Sequence, residues 1–183
     1  MSPAIWEELS KEHLADCRVF QVYKKHFRHS QDRRESDFYV IDCNDWVQVL
    51  ALTAKRELLL VNQFRYGSKA HSWEVPGGII DDADGDPVVA GERELLEETG
   101  YAGKRARHIG WVYANPAILS NRSHFVVVED CAPIAAPSFD EHEEIEMQRA
   151  PLEHVWEMAK TGKITHTITL NALFKLHTEL FSG

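Results

Sequence analysis

At 183 residues the chain has room for one domain with a substantial core, or one domain with a small appendage. Hydrophobic residues make up 44% and charged residues 27%, the ordinary balance of a soluble globular protein. A formal net charge of -9 argues against non-specific nucleic-acid binding, which needs a basic surface to displace phosphate counterions.

Cys17, Cys43 and Cys131 are widely spaced and include no CxxC pair, so neither a disulfide framework nor a structural zinc site is expected. Reduced thiols in a cytoplasm are the plain reading. The opening "MSPAIWEELSKEHL" lacks a basic region followed by an apolar core and is not expected to act as a signal peptide. No apolar run approaches the ~18 residues of a membrane span, so a soluble, cytoplasmic protein is expected.

Taken in chain order, residues 5–14 are expected to form a short helix. "CRVFQVYKKHFRH" alternates apolar and polar residues and reads as a strand, and "QDRRES" (31–36) as a charged turn. "DFYVIDC", "WVQVLALT" and "ELLLVNQF" are rich in β-branched and aromatic residues and form successive strands. "RYGSKAHS" is a loop, "WEVP" a short strand and "GGIIDDADGD" a turn-rich loop.

The next helix is well marked. Asp86 caps it, Pro87 fits its first position and Gly100 closes it. Val88, Val89, Leu95, Leu96 and Thr99 are expected to supply its buried side, and Gly91, costly inside a helix, marks close backbone packing. "RARHIGWVYA" and "SHFVVVEDC" follow as strands around the loop "NPAILSNR". Then "APIAAPSFDEHEEIEMQRAP" turns from loop into strand, and helices close the chain at 152–161 and 167–181. Such a mixture suggests a layered α/β/α domain.

"RELLEETG", Arg93 to Gly100, concentrates the chemistry. On a helix, Glu94, Glu97 and Glu98 crowd one face, and like charges at that spacing cost roughly 0.2–0.5 kcal/mol per pair. Taken alone, such a run is usually a solvated face. The glycines of the preceding "PGG" allow close backbone approach and can aim a carbonyl at the same region. Together these groups resemble an oxygen-rich site for a hard divalent cation, whose charge would remove the repulsion.

At these residues the chain resembles the Nudix hydrolases. "GGIIDDADGDPVVAGERELLEETGY" is similar to their signature, with a full match over Arg93–Gly100. The front half departs: the stretch from Gly78 to Arg93 is one residue too long, the first glutamate falls at Asp84 or Gly85, and Tyr101 replaces an aliphatic residue. "LLLVNQFRYG…WEVPGG" and "NPAILSNRSHFVVV" resemble the branch acting on ADP-ribose and nucleoside diphosphate sugars. The resemblance implies a Nudix-type α/β/α sandwich with a mixed sheet over 41–183, preceded by an N-terminal helix and β-rich dimerising segment over 1–40.

It further implies Mg²⁺ or Mn²⁺ held by Glu94, Glu97, Glu98 and the Gly77 carbonyl, with Glu143 as a further ligand. Arg93 would pair with a signature glutamate, and Arg65 would contact the diphosphate. From "FDEHEEIE", Glu141 is the candidate general base and Glu144 the alternative. Trp46, Phe38 and Tyr39 are candidates for stacking on a nucleobase; Asn115, Asn121 and Arg122 could meet the terminal sugar or phosphate. The ten histidines show no ligand spacing, and His26 and His29 are expected as exposed residues. The implied reaction is metal-dependent hydrolysis of a nucleoside diphosphate sugar, ADP-ribose, GDP-mannose or similar, by a homodimer. A non-catalytic sensor of ADP-ribose-like ligands, or a pyrophosphatase for another nucleotide such as RNA 5′ ends, is the alternative.

Overall fold

The computed structural model describes residues 3–139 and 144–181. Its strands are β1 (Trp6–Asp16), β2 (Gln21–His29), β3 (Glu35–Asp42), β4 (Trp46–Thr53), β5 (Glu57–Arg65), β6 (Ala70–Glu74) and β7 (Gly77–Ile79). Helix α1 (Pro87–Thr99) leads to β8 (Tyr101–Ala102), β9 (Arg105–Tyr113), β10 (Arg122–Pro133) and β11 (Glu146–Pro151). Helices α2 (Leu152–Lys160) and α3 (Thr167–Phe181) follow. Two compact units result, one from the residues up to Asn44 with Tyr113–Arg122, the other from Asp45–Val112 with Ser123 onward.

In the first unit β1, β2 and β3 form an antiparallel sheet. The helix expected over 5–14 is therefore a strand. Its Glu, Leu, Lys and Ala residues suit a helix locally, but eleven residues of β1 lie along β2, and pairs such as Glu8–Lys25 (3.1 Å) and Glu12–Lys24 (2.6 Å) link the two. Cross-strand partners outweigh local preference here. His29 is also less exposed than expected: it sits 2.8 Å from Asp32 and edge-on to Trp6.

The second unit is built on a mixed sheet in the order β11-β5-β4-β10-β8, with β6 on β5, β7 on β4 and β9 on β10. The β4–β10 pair is parallel, while β5 and β7 run antiparallel to β4. Val47, Val49 and Ala51 of β4 pack with Val126 and Val128 of β10 and with Ala90 and Leu95 of α1, forming a fully buried cluster. Gln48, on the opposite side of the β4 pleat, meets Thr169 of α3. Helices thus cover both faces of the sheet, the layered α/β/α arrangement expected. Tyr101 stands in the core cluster in place of an aliphatic residue.

Candidate active site around helix α1

Local chemistry fixes both ends of α1. The Asp86 carboxylate accepts the Val88 N–H at 2.7 Å, Pro87 occupies the first turn, and Gly100 ends the helix in the left-handed region (φ 72°), its N–H bonded to Leu96 O. Gly91 faces the sheet; a Cβ there would stand 3.2–3.4 Å from Val49, Val47 and Val126. That contact sets the helix rotation. Ala90, Gly91, Leu95, Glu98 and Thr99 are buried, whereas Val89 and Leu96, expected inside, are exposed.

Rotation carries Glu98 to the buried side, where it is only 3% exposed. A buried carboxylate needs donors, and the Gly77 N–H supplies one at 3.0 Å. Gly77 and Gly78 let β7 pass where no side chain fits. A Cβ on Gly77 would lie 2.1 Å from Val47 O, and one on Gly78 would lie 2.5 Å from the Glu94 carboxylate. The glycine pair thus serves the close approach its sequence suggests.

Arg93 gathers the remaining carboxylates. Its Nη1 donates to Glu94 (2.8 Å) and Glu97 (3.0 Å), and its Nη2 to Ile79 O (3.0 Å), as expected of an arginine that pairs with a signature glutamate. Asp84 accepts from both Nε (3.0 Å) and Nη2 (2.9 Å) of the arginine. Those bonds with Asp84, with further contributions from Glu94 and Glu97, push the guanidinium pKa up; the same arginine holds the Asp84 carboxyl below its ordinary range. Of the two positions open for the missing glutamate, it is Asp84 that takes up the arginine. Gly85 turns the loop at φ 67°.

A second arginine lies at the end of β5. Arg65 donates from Nε and Nη2 to the two carboxylate oxygens of Glu74, at 2.8 and 2.6 Å. Glu74 is 0% exposed, and His166 Nδ1 stands 2.9 Å from its Oε2. Burial pushes the carboxyl pKa up, but hydrogen bonds and charge from Arg65 and His166 outweigh it, and the group settles at about 2. Behind it, Thr169 Oγ1 lies 3.0 Å from His166 Nδ1, accepts the Val75 N–H and donates to Gln48. Sequence reasoning singled out Arg65 but not Glu74 or His166, and it named Asp84 without its arginine partner. A glutamate inside the apolar strand "WEVP" was the available signal.

Trp46 opens β4 opposite Ile79, in the same unit as the carboxylates. Phe38, Asn121 and Arg122 belong to the other unit. Phe38 meets Trp6 and Phe27 edge-on, at ring-centroid distances of 5.4 and 5.7 Å. Asn121 is buried and donates to Asn44 O, while Arg122 is exposed at the start of β10. Glu144 lines an open cleft of about 390 Å³ with Asn62, His71, Phe139, Ile145 and Glu146. Glu141 and Glu143 lie outside the described residues. Among the described residues no three His, Cys, Asp or Glu side chains converge around one point as ligands do; Glu94 and Glu97 turn to Arg93.

A family model described as the NUDIX domain matches residues 44–170. An ADP-ribose pyrophosphatase of Bacillus subtilis is 27% identical over 166 residues, spanning 90% of this chain and 89% of that protein. A GDP-mannose pyrophosphatase of Escherichia coli K12 is 31% identical over 133 residues, 69% of each chain. A CMP-5'-(N-acetyl-N-hydroxy-3-aminopropyl)phosphonate hydrolase of Streptomyces rubellomurinus is 30% identical over 60% of this chain, and the match spans about half (52%) of that relative. A crystal structure described as an ADP compounds hydrolase superposes with a TM-score of 0.87 at 22% identity, covering 100% of this chain and 97% of the other, a likeness of fold.

Proposed function

This chain belongs to the Nudix family of hydrolases, and from that premise we propose that it splits the pyrophosphate of nucleoside diphosphate sugars. The products are a nucleoside monophosphate and a sugar phosphate. The observation that carries the reading is the carboxylate array of α1: Glu98 buried on the Gly77 N–H, Glu94 against Gly78, and Glu97 beside it. The activities named for the Bacillus and Escherichia relatives support ADP-ribose and GDP-mannose as first candidates.

By its chemistry the donor set fits a hard divalent cation, since it offers carboxylate and carbonyl oxygens and no soft ligand, and Glu94 and Glu97 would turn from Arg93 to reach the ion. Glu94, Glu97, Glu98, the Gly77 carbonyl and Glu143 hold Mg²⁺ or Mn²⁺ in this reading. An ion bound there would supply charge neutralisation of the diphosphate and a more acidic attacking water, and would make an acidic pocket hospitable to an anion. Arg93 keeps Glu94 and Glu97 in orientation. Arg65 donates to the diphosphate oxygens. Glu141, with Glu144 as the alternative, accepts the proton of the water as its oxygen attacks one phosphorus in line. The bond from that phosphorus to the bridging oxygen breaks, and the bridging oxygen leaves with the other phosphate. Trp46 and Phe38 are the candidates for stacking on the base, Asn121 and Arg122 for the sugar end.

In this reading the protein works in the cytoplasm as a homodimer joined through its N-terminal segment. Exposed Leu14, Val19 and Tyr39 there support it, and a monomer in light scattering at micromolar concentration would refute it. For the activity, ADP-ribose, GDP-mannose, UDP-sugars and 5′-triphosphate RNA are incubated with and without Mg²⁺ and the products followed by ³¹P NMR. AMP with ribose 5-phosphate, or GMP with mannose 1-phosphate, is expected in Mg²⁺ and not in EDTA. Binding of ADP-ribose with no turnover in any metal would overturn hydrolysis in favour of a sensor.

A further inference from the structure

We infer that Glu74, braced by His166, is a positioning residue that presents the Arg65 guanidinium to the diphosphate; this rests on the proposed role of Arg65. Its burial and its partners argue the point. Glu74 is 0% exposed at the end of a short strand, next to buried Val75. A charge taken wholly out of water is costly, and an apolar residue of similar volume would commonly serve packing as well or better. What the carboxylate supplies is direction. It binds two guanidinium nitrogens in parallel at 2.8 and 2.6 Å, a fork-to-fork contact that fixes the arginine plane. The pair is also asymmetric: Glu74 is fully covered, while the Arg65 side chain is 42% exposed. The carboxylate is the anchor behind, and the guanidinium is the face turned outward.

His166 completes the anchor. Its Nδ1, 2.9 Å from Glu74 Oε2, also lies 3.0 Å from Thr169 Oγ1, and Thr169 in turn bonds Val75 N–H and Gln48. Gln48 is the register partner of Gly77, whose N–H holds Glu98. One polar strut therefore runs from the arginine as far as Gln48, whose register partner on β7 seats a signature glutamate. A guanidinium already ordered loses less rotamer freedom when a diphosphate arrives, so the strut acts on substrate affinity more than on the chemical step.

Steady-state kinetics on a cleaved nucleotide sugar, with melting temperature as a parallel readout, test the inference. Glu74→Gln keeps the shape and loses the charge; KM is expected to rise about tenfold while kcat stays within about threefold. Arg65→Ala should raise KM at least as much. The double variant should match Arg65→Ala alone, because Glu74 acts only through Arg65. His166→Ala should raise KM, and His166→Asn, whose amide N–H can stand in for Nδ1–H, should restore it. An unchanged KM in Glu74→Gln, or equal and additive losses in the Arg65→Ala background, overturns the inference. So does an Arg65→Ala variant with wild-type KM. Failure of the proposed reaction is a separate result: the wild type itself then turns over no nucleotide sugar, and the same variants are compared by calorimetric binding of ADP-ribose.

Discussion

Gly78→Ala separates the fold of this protein from its chemistry. The Gly78 backbone is outside the left-handed region, so alanine can adopt it without strain. The added Cβ would stand 2.5 Å from Glu94 Oε1 and 2.7 Å from its Cδ, where ordinary contact begins near 3.4 Å. The carboxylate must retreat by about 0.9 Å, the difference between the two. Because the obstacle is the end of a flexible side chain, the fold should lose no more than about 1 kcal/mol, or roughly 2–4 °C in melting temperature. A displacement near 1 Å in a positioned catalytic group costs about 10²-fold in rate. Turnover of ADP-ribose or GDP-mannose in Mg²⁺ should accordingly fall 10- to 100-fold, measured beside a thermal melt. Gly77→Ala is the contrast, since its Cβ would strike the backbone oxygen of Val47 at 2.1 Å and should lower the melting temperature much more. A Gly78→Ala enzyme with activity within twofold of wild type would refute the claim that the place of the Glu94 carboxylate matters.

Glu98→Gln retains an acceptor for the Gly77 N–H, so the melting temperature should hold while turnover in Mg²⁺ falls by about 10²-fold or more; near wild-type activity removes Glu98 from the proposed metal site. Asp84→Ala takes two charge-assisted bonds from Arg93, a loss of about 2–3 kcal/mol, so the melt should drop by roughly 4–12 °C. An unchanged melt means that Glu94 and Glu97 hold Arg93 without it. Glu74 sets an acid limit. Its folded pKa is depressed from 4.5 to about 2, so its stabilisation is fully present above about pH 4.5 and is lost as pH falls toward 2. In urea melts the advantage of wild type over Glu74→Gln should shrink by about 3 kcal/mol from pH 6 to pH 2, and a gap that does not change with pH contradicts the ion-paired assignment.

The parts of this molecule that could be read from sequence are those written in local chemistry. Asp86 with Pro87 and Gly100 bracket α1 because a cap, a fixed φ and a left-handed residue each act within a turn of the chain. The glutamate spacing was legible for the same reason. What α1 buries was not, because Gly91 rotates the helix onto Val47, Val49 and Val126 until Glu98 points inward and Leu96 outward. A reading that sends apolar residues in and charges out must fail at a position where a charge is put to use. Strand β1 was missed because its pairing partner lies in β2 and leaves no mark in its own composition.

The arginine pairings of Asp84 and Glu74 escaped notice for a related reason. Each answers an arginine nine residues away, across a turn in one case and a strand pair in the other. In β5 and β6, Val61 is opposite Glu74 and Arg65 opposite Ala70, so Arg65 must reach back along one face of the ribbon to meet the carboxylate. That path depends on register and twist, which the sequence does not state. A physical signal was nevertheless present. A glutamate between Trp73 and Val75 has no solvent to turn to once β6 is packed, so it demands a cation, and Arg65 is the basic residue at the end of the neighbouring strand. Asking which cation each carboxylate in an apolar strand must meet, before asking which face of the sheet it lies on, would have led from "WEVP" to the arginine that the proposed reaction needs.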